Sequence, residues 1–341
     1  MEVNHRTARS LVKKLGSVSE ITRSEALAEL RLMTKNDAES RLIIAEAGAI
    51  PYLAETLYSS SHDSQDNAAA TLLNISISSR APLMSTRGLL DAISHVLRHH
   101  ATNSSPSAVQ SSAATLYSLL VDDSYRSIIG AKRDIAYSLI EIIKRPNSPP
   151  RSIKDALKAL FGIALFPLNR AGLIDLGAAG ALFSLVLKDG RVGIVEDTTA
   201  VIAQIAGCEE SESAFWKVSG VKVLEDLLDV GTGSSERTKE NAVGALLNLV
   251  RCGGGGVMRE VKEMRPGAVE GIKDVRENGT AKGKSKAIAL LKAVEGGAKK
   301  WDFAVWVSYL NFDLYELMVS WIVFLVSYLH ICLLLLVDGN V

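Results

Sequence analysis

One eight-residue pattern returns seven times along the chain, and its spacing constrains the fold more than any other feature. The copies are ALAELRLM (26–33), AAATLLNI (68–75), SAATLYSL (112–119), ALKALFGI (156–163), TTAVIAQI (198–205), AVGALLNL (242–249) and KAIALLKA (286–293). Their first residues are separated by 42, 44, 44, 42, 44 and 44 positions. A period of this length is the mark of a stacked array, in which each unit buries its apolar face against the next. The fifth position reads Leu30, Leu72, Leu116, Leu160, Ile202, Leu246 and Leu290. With the mostly small or aliphatic first, second and eighth positions, it forms an apolar stripe on one face of a helix. The sixth and seventh positions are mixed, which predicts a solvent-facing edge.

A second landmark precedes most of these helices: Gly48, Gly88, Gly177, Gly220 and Gly267 each open a short apolar stretch. Glycine suits the left-handed or tight backbone where one helix stops and another starts. The stretch AKRDIAYSLIEII (131–143) lacks that glycine, which predicts a turn built differently there. The linkers SSSHDSQ, ATNSSPS, RPNSPPRS and VGTGSSER predict exposed loops between helices. Each unit is therefore expected to be a short helix, a turn, a second helix, a polar loop and a longer third helix.

The segments RLIIAEAGAIPYLAETL (41–57), NAAATLLNISI (67–77) and ENAVGALLNLV (240–250) resemble the armadillo repeat, whose stretches run IxxAGAIPxL and AAxxLxNL. EAGAIPYLAETLYSSS (46–61) and ENAVGALLNLVRCGG (240–254) resemble more narrowly the plant armadillo proteins related to U-box ubiquitin ligases. The resemblance spans about residues 20–296 and implies an all-α, right-handed α-solenoid of about seven repeats. It also implies a non-enzymatic scaffold that binds a protein partner along a concave face lined by the third helices. Because the first repeat begins within about twenty residues of Met1, no U-box is expected ahead of it. A ligase, or the substrate-binding component of one, is the alternative.

In peptide-binding armadillo proteins the seventh position is commonly Asn, whose amide pairs with an extended peptide backbone. Here that position reads Leu32, Asn74, Ser118, Gly162, Gln204, Asn248 and Lys292. The polar members, Asn74, Ser118, Gln204, Asn248 and Lys292, are the candidate partner-binding residues. Only two are Asn, and no Trp stands four positions ahead, where the chain has Ala70, Ala114, Lys158, Ala200 and Gly244, so a continuous groove for basic signal peptides is disfavoured. The competing reading is that the two Asn side chains only cap or hydrate their helix surfaces.

Composition narrows the remaining classes. The chain carries 38 Lys and Arg against 38 Asp and Glu, so no chain-wide field for nucleic acid is expected. Three separated cysteines, Cys208, Cys252 and Cys332, exclude a disulfide framework or thiolate zinc cluster and fit a reducing compartment. His95 and His99 have metal-compatible i, i+4 spacing but lack the Glu of H-E-x-x-H, so a polar helix end is the favoured reading. CGGGG (252–256) and VGTGSS (230–235) lack phosphate-loop spacing and are expected to be loops. No cofactor or metal is expected. Residues 257–300 carry eleven Lys or Arg against six acids, a stretch favoured as a solvated terminal face.

The neutral total conceals a boundary. Residues 301–341 hold four acids, no Lys or Arg and nine of the 19 aromatics. Residues 1–300 are thus expected to form the array, followed by a hydrophobic C-terminal helix in 301–341. Within the tail, 317–337 is 21 residues without a charged side chain, enough to span a bilayer as a helix. A tail anchor and a stretch foreign to the domain weigh equally, with a cap over the last repeat third. With no secretory leader, a cytoplasmic place, extending to the nucleus, is expected; a tail anchor would put the repeats on the cytosolic side of a membrane.

Overall fold

The computed structural model describes residues 2–295, and every regular element among them is helical. The predicted tail, 301–341, lies outside the described residues. The chain opens with two helices, α1 (Glu2–Leu15) and α2 (Glu20–Asn36). Two three-helix repeats follow: α3 (Ala38–Glu46), α4 (Ala49–Thr56) and α5 (His62–Ser78), then α6 (Arg80–Ser85), α7 (Leu89–Arg98) and α8 (Pro106–Leu120). The next two are α9 (Asp123–Gly130), α10 (Arg133–Lys144) and α11 (Pro150–Ala164), then α12 (Asn169–Asp175), α13 (Ala178–Lys188) and α14 (Val192–Ile205). The last two are α15 (Ser211–Lys217), α16 (Gly220–Leu228) and α17 (Glu236–Cys252), then α18 (Gly255–Lys262), α19 (Pro266–Asn278) and α20 (Ala281–Glu295). The fold is the expected right-handed α-solenoid, with the seven repeated segments on α2, α5, α8, α11, α14, α17 and α20.

Apolar spacing drives this stacking. All seven fifth-position residues are at most 1% exposed, and each sits where its third helix meets the helices around it. Consecutive third helices pack against one another, α2 on α5 and onward to α14 on α17. The second helices form a parallel row, α7 against α10 and α10 against α13. The solvent-edge reading fails at three places. Gly162 is buried because the Leu120 side chain presses on it, at 2.8 Å from where a Cβ would stand. Ala203 and Leu247, both sixth-position residues, are also buried; Ala203 faces the glycine at position 244 of the next third helix.

The turn glycines divide by mechanism. Gly48, Gly88 and Gly177 have φ of 83–85° and sit immediately before α4, α7 and α13, as the pattern predicts. Before α16 the positive φ (52°) falls on Ser219 instead, while Gly220 begins the helix. Gly220 is small for a different reason: a Cβ there would stand 2.9 Å from the Phe183 ring, which packs edge-on against Phe215. Gly267 lies inside the first turn of α19, one residue after Pro266, and marks no left-handed turn. The glycine-free repeat turns through Lys132 at φ −77°, a different construction as expected. Left-handed backbone costs a non-glycine residue about 1–2 kcal/mol. Ser219→Gly is therefore expected to raise stability by about 1 kcal/mol and Gly177→Ala to lower it by a similar amount. Paired urea denaturation curves test this, and equal midpoints for the two variants would contradict it.

Polar loops end in helix caps. Ser19, Ser61, Ser105 and Ser235 accept hydrogen bonds from first-turn amides of α2, α5, α8 and α17. At α11 and α14 the corresponding residues are Pro149 and Arg191, which provide no side-chain cap.

Candidate functional site

The row of third helices presents its seventh-position side chains one repeat apart, and three of them, Asn74, Ser118 and Asn248, reach back to the preceding unit. Asn74 Nδ2 donates to Thr34 Oγ1 at 3.1 Å, and Ser118 Oγ donates to the Ser76 carbonyl at 3.1 Å. Asn248 Nδ2 donates to the Ala203 carbonyl at 2.8 Å. Gln204 Oε1 accepts from Arg170 Nη2 at 3.5 Å. Asn74, Ser118, Gln204 and Asn248 are half-buried, Lys292 is exposed and Gly162 is covered. Asn74, Ser118 and Asn248 therefore tie their repeats to the ones before them, while Gln204 bonds to the first helix of its own repeat. An Asn amide has two N–H donors and a carbonyl oxygen, so one such bond leaves capacity for a further partner.

A second polar row was missed from the sequence. The residue just before each repeated segment is Glu25, Asn67, Ser111, Asp155, Asp197, Asn241 or Ser285, polar in every copy. It lies seven residues, two helical turns, from the seventh position and so on the same face. Asn67 Oδ1 accepts from Arg31 Nη1 at 2.9 Å across the repeat boundary. Asn241 Nδ2 donates to the Glu196 carbonyl and to Thr199 Oγ1, both at 3.1 Å. Asp155 pairs with Lys158 at 3.8 Å, and burial raises its carboxyl above the ordinary range despite that cation. Lys158 in turn stands 5.9 Å from the centre of the exposed Tyr117 ring. Uniform polarity at one register position was the available signal.

Arginines on the first helices close the ends of the third helices. Arg41 Nε donates to the Thr34 carbonyl (2.8 Å), Arg126 Nε to Leu120 (3.1 Å) and Arg170 Nε to Ala164 (2.9 Å). A guanidinium here satisfies carbonyls left open at a helix C-terminus and complements the negative pole of its dipole. Arg170 extends the tie forward, donating through Nη1 to the Gly207 carbonyl at 3.1 Å. Burial lowers its pKa, but a guanidinium stays charged.

The residues weighed for catalysis or metal binding lie elsewhere. His95 and His99 stack with ring centres 4.3 Å apart, and His95 also rests on Tyr58 at 4.7 Å. Burial, then the neighbouring His99 and Arg98, lower the His95 pKa. Among the described residues no cluster of three or more His, Cys, Asp or Glu is placed to hold a metal ion. Burial, aided by Glu210, pushes the Cys208 thiol up to about 11. At pH 8 its thiolate is then on the order of 0.1% populated, so its alkylation should run at least about tenfold slower than that of free cysteine. Peptide-resolved mass spectrometry after iodoacetamide treatment measures the rate; parity with free cysteine would refute the assignment.

Stacked three-helix units with an inward polar ladder define the class: this is an armadillo-repeat solenoid, a protein-binding scaffold. More narrowly, the chain belongs to the plant U-box protein ARM repeat region family, whose model matches residues 5–309. It is 32% identical over 269 residues to U-box domain-containing protein 16 of Arabidopsis thaliana, covering 77% of this chain and 37% of that protein. U-box domain-containing protein 4 of Oryza sativa subsp. japonica is 31% identical over 294 residues, covering 86% of this chain and 39% of that one. The chain thus spans less than two fifths of either relative's length. Among solved structures, an engineered protein (Northeast Structural Genomics Consortium target OR497) superposes with a TM-score of 0.73 at 21% identity, covering 85% of this chain and 69% of that one. A chain from a structure concerning the interaction between cadherin and beta-catenin gives 0.67 at 19% identity, covering 84% and 52%. Both likenesses are of fold.

Proposed function

We propose that this chain is a non-enzymatic adaptor that binds a partner protein along the third-helix face, in ubiquitin-linked signalling. The observation that carries the reading is the double polar row on seven stacked helices, held in place by bonds between consecutive repeats. Such bonds orient each side chain before a partner arrives, which reduces the ordering cost of binding. The ubiquitin link rests on the relatives, which are named as U-box domain-containing proteins. We place the protein in the cytoplasm, extending to the nucleus. A membrane-tethered organiser would act through 317–337, which lies outside the described residues. Among the described residues no single helix is long and apolar enough to cross a membrane.

Affinity purification of the full chain, followed by titration of the recovered partner, tests the site. Asn74→Ala with Asn248→Ala is expected to weaken binding by about tenfold, and Lys292→Glu by a few-fold. Unchanged affinity in both would remove the seventh-position row from the interface. Ubiquitin transfer by this chain as the sole ligase would overturn the non-enzymatic reading. Recovery in the membrane fraction, lost on deleting 317–337, would replace the cytoplasmic one.

A further inference from the structure

A second surface stands apart from the polar ladder, at the edge where second helices end and third helices begin. Between α10 and α13 lies a cavity of about 560 Å³. Ile143, Ile153 and Leu185 form its aliphatic floor. Its rim carries Lys144, Arg145, Lys188 and Arg191 against one carboxylate, Asp189. That carboxylate is already taken: Arg191 donates to both of its oxygens, and these bonds hold its pKa below the ordinary range. Lys144 pairs with Glu141 at 2.7 Å. Arg145 and Lys188 have no ion-pair partner among the described residues.

Two further features favour an anionic visitor with an apolar side chain. The third helix that starts at the rim, α14, has Arg191 at its N-cap and no side-chain cap, whereas α2, α5, α8 and α17 have Ser caps. The Val192 and Gly193 amides of its first turn add positive potential beside the cations, while the Ile194 amide donates to the Arg191 carbonyl at 2.9 Å. Gly180 stands inside α13 on the cavity wall, where a Cβ would meet nothing within 4 Å. Helix propensity favours Ala over Gly by about 1 kcal/mol. The glycine is therefore not demanded by its own helix, and it keeps the wall open. Lysines in the last turns of α10 and α13 also offset helix dipoles, but that role does not account for Arg145 beyond the helix end or for the open wall.

We propose that this cavity docks an acidic segment of a partner protein, which inserts an aliphatic side chain onto the floor while flanking carboxylates meet Arg145 and Lys188. Charge complementarity selects the flanks and desolvation of the floor selects the inserted side chain. A bare phosphate would leave that floor wet. The inference is independent of the third-helix reading above, because none of the seventh-position residues lines the cavity.

The test uses the full chain and a fluorescein-labelled peptide in which two central leucines are flanked by glutamates and aspartates. Fluorescence anisotropy is expected to show binding tighter than ~100 µM at low salt, weakened at about 200 mM salt. Arg145→Glu with Lys188→Glu should reduce affinity about tenfold or more. Gly180→Leu should reduce it about fivefold by filling the cavity while leaving the thermal midpoint unchanged or higher. Asn74→Ala with Asn248→Ala should leave it unchanged, which separates this surface from the ladder. The proposal is overturned if the peptide does not bind, or if both cavity variants bind it like the parent. Equal binding of a serine-for-leucine peptide or of a lysine-flanked peptide overturns it as well. So does capture of phosphatidylserine vesicles, in place of the peptide, through Arg145 and Lys188.

Discussion

Leu160→Ala is expected to lower stability by about 3 kcal/mol and to break the cooperativity of the array. Leu160 is fully buried on α11, the third helix that packs against α8, α10 and α14 near the middle of the solenoid. Removing a buried isobutyl group forfeits its transfer free energy and leaves a cavity, together about 2–5 kcal/mol. A solenoid adds a second consequence, because each repeat is stabilised only by itself and its neighbours. A weakened central interface should therefore split the single denaturation transition into two, with the halves either side of α11 melting separately. Urea denaturation followed by circular dichroism, with hydrogen exchange mapped by helix, would show this. A cooperative transition displaced by less than about 1 kcal/mol would be inconsistent with a central packing role. Leu32→Ala, at an exposed seventh position, serves as the control and should fall within about 0.5 kcal/mol of the parent.

Gly271→Ala should damage the last repeat through the backbone. A Cβ at 271 would stand 1.8 Å from the carbonyl oxygen of Leu228, where α19 crosses the end of α16. No rotamer change relieves such an overlap, so α19 must move away and uncover Leu228 and Ile272, both buried at that crossing. Overpacking of this kind costs about 1–3 kcal/mol and occasionally more. Amides of α19 and α20 should lose exchange protection while those of α5 to α14 keep theirs. Retained protection in α19 would show that the helices tolerate the wider spacing. Gly180→Ala is the matching control, since open space surrounds that position and the helix gains from the substitution.

These two substitutions also show how far the sequence could be read. Leu160 was legible, because a leucine or isoleucine recurs at that register in every copy and helical geometry admits one reason for it. Gly271 carries no such signal. Gly267, four residues earlier, matches the turn pattern and draws the eye, yet it sits in the first turn of α19. The same substitution of reasons occurs at Ser219 and Gly220, where the left-handed residue and the small residue are neighbours rather than one. Among the candidate binding residues, position along the array was readable, but the bonds were not. Nothing local to Asn248 points to the Ala203 carbonyl, 45 residues away in the chain. The polar row at Asn67, Asp155 and Asn241 was readable in principle from its invariant polarity across copies.

Periodicity alone determined the repeat length, the number of third helices and the residues that face the interior. Those follow from a local rule, apolar spacing at helical pitch, applied seven times. The tertiary structure decided which glycines turn the chain and which admit a neighbour, which polar rungs bond the preceding repeat, and where cations outnumber carboxylates around a cavity. All of these depend on distances between residues about forty positions apart. Such distances are set when whole helices pack, and no local pattern in the chain encodes them.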